Sequence, residues 1–194
     1  MPSNFDFLRS AFPDLYAHAA QAEGLIFVNP RACCFYTRFA LEQTVLWLYE
    51  NNPNLRLPFE NSLGAMIHEP SFQRSLKPGL FPKIRLIQKQ GNKAVHQSRE
   101  VQEDDALRLV QELFHVLYWL CRTYRRQGQA LPDRVFDRAQ VPRPVQPEEQ
   151  ALTQQQLQVL AEQLTESDAL RRIAEERRQQ TEAELTAAQA ELEA

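Results

Sequence analysis

Apolar residues recur every three or four positions through most of the first 127 residues, and no stretch keeps the alternation of a strand. The broadest pattern lies in 30–51, "PRACCFYTRFALEQTVLWLYEN". Cys34, Thr37, Leu41, Thr44, Val45 and Leu48 share one face, and Phe35, Phe39, Leu46 and Tyr49 widen it. A helix apolar on more than one side belongs at the centre of a bundle, and Pro30 suits its first turn. Residues 4–23 predict a helix with Phe5, Leu8, Phe12, Leu15, Tyr16 and Ala19 on one stripe, Ser3 or Asn4 as N-cap and Gly24 as C-cap. Pro13 either splits it or opens its second piece.

After the turn-rich "NNPNLRLPFEN", residues 62–90 predict short helices broken at Pro70, Pro78 and Pro82. The last, from about 79 to 90, aligns Leu80, Ile84 and Ile87, and Gly91 ends it. Residues 100–127 predict a long helix with Leu107, Val110, Leu113, Phe114, Leu117, Leu120, Cys121 and Tyr124 as its buried stripe. Acids fill its first turns and Arg122, Arg125 and Arg126 its last, which suits the helix dipole. The expected class is therefore all-α, a helical bundle over 1–127.

Two further segments follow. Residues 128–150 hold four prolines and read as a semi-extended linker. Residues 151–194 contain no Gly, Pro or aromatic residue and read as a long polar helix. Leu157, Leu160, Leu164, Leu185 and Leu192 form a candidate coiled-coil seam, through which the chain would either form a homodimer or dock on another surface. The pattern runs to "AELEA" with no stop residue, so the expectation is an N-terminal piece of something longer.

Charge sharpens this division. The net charge of −3 splits into −5 for 151–194 (nine acids, four arginines) and +2 for 1–150. A near-neutral bundle is not a dedicated duplex binder. Lys83, Lys89 and Lys93 nonetheless form, with Arg85, a local basic group able to contact phosphate. Three cysteines, Cys33, Cys34 and Cys121, lack metal-ligand spacing and suit a reducing cytoplasm. No signal segment or membrane-length apolar run occurs.

Catalytic signatures are scarce. There is no phosphate-binding G-x-x-x-x-G-K-[ST], no G-x-G-x-x-G, no nucleophile elbow and no zinc spacing, so no cofactor or metal is expected. Helix-end electrostatics accounts for Asp104–Asp105. His18, His68, His96 and His115 are far apart in sequence, and His115 reads as a hydrogen-bonded residue at the core edge. The most promising stretch is 85–96, "RLIQKQGNKAVH". If Gly91 ends one helix, Asn92 can cap the next and His96 falls one turn later. Arg38 and Glu42, four apart on the central helix, could join Arg85, Asn92 and His96 in one buried polar cluster.

"SNFDFL", "YTRFALEQTVLWLY" and "IRLIQKQGNKAVH" together resemble the N-terminal helical domain of type I restriction enzyme R (HsdR) subunits, itself similar to the HEPN superfamily. The resemblance covers 4–127. It implies an accessory assembly, nucleic-acid-binding or partner-binding module of a DNA endonuclease and translocase, with other restriction–modification subunits and DNA as partners of the complete protein. HEPN ribonucleases carry an Arg-polar-x-x-x-His motif. Aligned on His96, Asn92 takes the polar place and Gly91 the arginine place. Arg85 and Lys93 are the candidate substitutes for it, and neither is at motif spacing. The expectation is therefore a non-catalytic module, with His96 the one weak catalytic candidate. A HEPN-type ribonuclease acting through His96 and a free-standing oligomeric scaffold are the alternatives.

Overall fold

The computed structural model describes residues 3–60, 62–96, 100–125 and 133–143, with backbone only for 95 and 96. The chain divides into two units, 1–153 and 154–194, and the described residues belong to the first. The leucine seam at 157–192 lies outside them, as does Arg126.

The fold is all-α: among the described residues there are six α-helices, two 3-10 turns and no strand. The helices are α1 (Pro13–Gly24), α2 (Pro30–Asn51), α3 (Leu63–His68), α4 (Pro70–Ser75), α5 (Leu80–His96) and α6 (Glu103–Tyr124). None is long and apolar enough to cross a membrane.

α2 is the centre. It packs on α1, α5 and α6, and α5 and α6 also meet each other. Its broad apolar face is the reason: Cys33, Cys34, Phe35, Thr37, Ala40, Leu41, Thr44, Val45 and Leu48 are all buried. Asn29 caps it by accepting from Ala32 N at 3.1 Å, with Pro30 in the first turn. α6 buries its expected stripe from Leu107 to Cys121, with Tyr124 half-buried at its end, and Glu103, Asp104 and Asp105 fill its first turn.

Three local expectations change. Residues 4–12 do not join α1. They form a 3-10 turn at Asp6–Leu8, and Pro13 opens α1 as its first residue. Pro82 does not break α5 but sits in its first turn, where its missing N–H costs nothing. Gly91 does not end a helix either, because α5 runs unbroken from Leu80 to His96.

Residues 133–143, part of the linker-like stretch, are held against the bundle. Phe136 packs edge-on to Phe114 at 5.8 Å, and Val141 is buried. Arg122 pairs with Asp133 at 2.9 Å, Arg138 with Asp104 at 3.2 Å, and Arg143 lies 4.9 Å over the Phe27 ring. The segment therefore spans α6 from its last turn back to its first.

Candidate functional site

The polar cluster forms where α2 crosses α5, and Gly91 permits it. A Cβ on Gly91 would overlap Arg38 Cβ and stand 2.9 Å from Arg38 Cδ. The glycine thus makes room for another helix's side chain rather than supplying a left-handed backbone. Ile84, Ile87, Gly91 and Ala94 form the buried face of α5, with small residues towards its C-terminal half.

Arg38 lies across this gap. Its Nε donates to Asn92 Oδ1 at 2.6 Å, and its Nη1 approaches Glu42 Oε2 at 3.3 Å. The two side chains of the ion pair are only 14% and 6% exposed. Three of the five expected cluster members, Arg38, Glu42 and Asn92, therefore meet. Asn92 acts in the interior of α5 instead of capping a new segment. Arg85 is exposed on α5, and among the described residues no hydrogen bond ties it to the other three. His96 is the last residue of α5, one turn after Asn92, and its side chain lies outside the described residues.

The basic group divides in two. Lys83 points to α6, where its Nζ donates to Glu112 Oε2 and lies 3.3 Å from His115 Nδ1. His115 Nδ1 is 3.1 Å from the same carboxylate. Burial pushes the Glu112 carboxyl up, but Lys83 and His115 outweigh it and hold it below its ordinary value. His115 is thus the hydrogen-bonded core-edge residue its position suggests. Lys89 and Lys93 are exposed, and so remain able to meet a phosphate.

A second polar knot was not legible in the sequence. Glu23, fully buried at the end of α1, accepts from Ser3 Oγ at 2.5 Å, Asn4 N at 3.2 Å and Asn4 Nδ2 at 2.6 Å. Burial raises its carboxyl above the ordinary value, although these donors pull the other way. Asn4 also grips the backbone of Asp137: Nδ2 donates to its carbonyl at 2.9 Å, and Oδ1 accepts from its N–H at 2.6 Å. Ser3 and Asn4, expected as helix caps, instead close over Glu23, and Asn4 ties this segment to residue 137. No local spacing signals a bond over 133 residues.

The remaining chemistry is muted. All three cysteines are buried. Burial pushes Cys34 up to about 12 and Cys33 well above its ordinary value, so neither is a thiolate nucleophile at neutral pH. Among the described residues no three His, Cys, Asp or Glu side chains gather as metal ligands. A cavity of about 260 Å3 lies between α2, α5 and α6, bordered by Cys34, Lys93, Ala94, Glu100, Asp105 and Leu109.

A family model described as a domain of unknown function (DUF4145) matches residues 20–141. That span takes in α1 to α6 and most of the held segment 133–143. No curated protein and no solved structure matches the chain.

Proposed function

The chain belongs to the DUF4145 family, and on that premise we propose that it is a non-catalytic accessory module that works by binding. One observation carries this reading. Arg38, which reaches Asn92 one turn before His96, is engaged by the protein itself, through Asn92 and Glu42, with its side chain 14% exposed. A guanidinium committed to two internal partners fixes the α2–α5 crossing and is poorly placed to bind a scissile phosphate. A histidine without such preorganised charge lacks what is often the largest catalytic term.

The sequence resemblance supports a narrower placement. In it, the bundle is the N-terminal module of a cytoplasmic type I restriction R subunit, with other subunits and DNA as partners and 151–194 as a spacer or pairing helix. An oligomeric scaffold built on 151–194 is the simpler variant of the same reading.

The HEPN-type ribonuclease reading has one observation in its favour. Arg38 lies over Gly91 and reaches Asn92, so α2 supplies a guanidinium where the motif's own arginine is missing. A cleavage assay on labelled RNA and DNA separates the two, with wild type beside His96→Ala and Arg38→Ala. The module reading expects no cleavage by any of the three. Cleavage by wild type that both substitutions abolish would overturn it and establish the ribonuclease.

A further inference from the structure

α5 is the most one-sided helix in charge. It carries Lys83, Arg85, Lys89 and Lys93 and no acidic residue. Elsewhere three exposed cations are matched, Arg9 with Asp6, Arg122 with Asp133 and Arg138 with Asp104, while Arg56, Arg108 and Arg134 stand singly on different parts of the chain. On α5 only Lys83 is neutralised, by Glu112. Arg85, Lys89 and Lys93 are exposed, and among the described residues none of them is in an ion pair.

Their spacing of four places them along one flank, about 6 Å apart and about 12 Å from end to end. Asn92, whose Oδ1 accepts from Arg38, follows Lys89 by three residues and so borders that flank. The row ends at Lys93, beyond which Glu100 and Asp105 border the same cavity.

We propose that Arg85, Lys89 and Lys93 form a rail for the sugar–phosphate backbone of a single-stranded nucleic acid. This rests on the binding-module reading and names its ligand. Three cations about 6 Å apart match the distance between successive phosphates of a strand, so the rail faces about three phosphates. A single strand fits better than a duplex. A helix seated in a major groove meets backbone on both sides, whereas α5 offers one cationic flank and buries the opposite face through Ile84, Ile87 and Gly91. No aromatic residue lies between Arg85 and Lys93, so contact along the rail is with phosphate and is blind to sequence.

The test is fluorescence anisotropy of the full chain with labelled dT20, across 50–200 mM salt. Three phosphate contacts give a log–log salt slope of about −2, or about a 20-fold loss of affinity over that range. The variant Arg85→Gln/Lys89→Gln/Lys93→Gln should lose at least tenfold in affinity at 50 mM salt, and its slope should fall towards zero. A charge-matched control, Arg56→Gln/Arg108→Gln/Arg134→Gln, removes three exposed cations elsewhere and should keep the wild-type slope. Equal behaviour of the two variants would overturn the rail. So would tighter binding of a 20-base-pair duplex, or competition by polyglutamate as effective as by unlabelled dT20, which would mark a surface for an acidic protein. None of these outcomes touches the module reading, which falls only if the chain cleaves.

Discussion

Two carboxylates are taken out of water in this bundle, and they are accommodated by opposite means. Glu42 lies beside a guanidinium at the α2–α5 crossing. Glu23, at the end of α1, is met by a hydroxyl, a backbone N–H and a side-chain amide, with no cation among those three donors. The first solution sets the carboxylate against a cation, and the same guanidinium joins α2 to α5 through Asn92. The second leaves it above its ordinary pKa and joins chain segments that no helix connects. A guanidinium needs space, which Gly91 provides. A ring of neutral donors needs only a chain terminus folded over it.

The largest effect should come from removing the cation. Arg38→Ala deletes both bonds at the crossing and leaves the buried Glu42 without that guanidinium, so urea denaturation should show a loss of about 3 kcal/mol. Gly91→Ala should follow, losing about 1–3 kcal/mol by overpacking against Arg38, even though alanine is a better helix former by about 1 kcal/mol. A neutral or stabilising result there would mean that α2 and α5 do not approach as closely as described.

Glu23→Ala should cost about 1–3 kcal/mol by leaving buried donors unmet. It should also loosen residues 133–143, read as faster protease cleavage in that segment than in wild type. Cleavage at the wild-type rate would show that the Asn4–Asp137 contact stands without Glu23.

The pH dependence is smaller and turns on Glu23 and His18. Glu23 has a raised pKa in the fold, so the cost of its charge is absent below about pH 4.5 and grows as pH rises through the folded-state value. Glu23→Gln should therefore gain in melting temperature relative to wild type between mild acid and neutrality. His18 runs the other way. Burial lowers its pKa, against a weaker upward pull from Asp14, so protonation opposes folding and its contribution is lost as pH falls below about 6.5. His18→Gln should flatten that acid limb, and an unchanged limb would remove His18 as its source.

Much of the bundle was legible because its signals are local. The α2 and α6 stripes, the Pro30 start and the acidic opening of α6 each follow from spacing within one helix. The misreadings share a physical cause. Gly91 has low helix propensity, so the sequence suggested a break, yet packing against Arg38 overrides that preference. Asn92 has the chemistry of a cap, but its partner is a side chain 54 residues away. Lys83 looked like its basic neighbours until the fold placed Glu112 beside it. The residues of the site were readable as types; their pairings depend on how helices cross, and no local pattern encodes that.

The grip of Asn4 on Asp137 has a consequence for how this protein can vary. A side-chain amide that reads one carbonyl and one N–H recognises main chain, which every residue except proline presents in the same way. Asn4 therefore makes no demand on the side chain at 137, whose carboxylate instead caps the following turn by accepting from Ala139 N at 2.9 Å, while position 4 tolerates very few substitutions. Among relatives, the held segment should drift in sequence around an apolar residue at 136 and another at 141, and its asparagine partner at the far end of the chain should stay fixed.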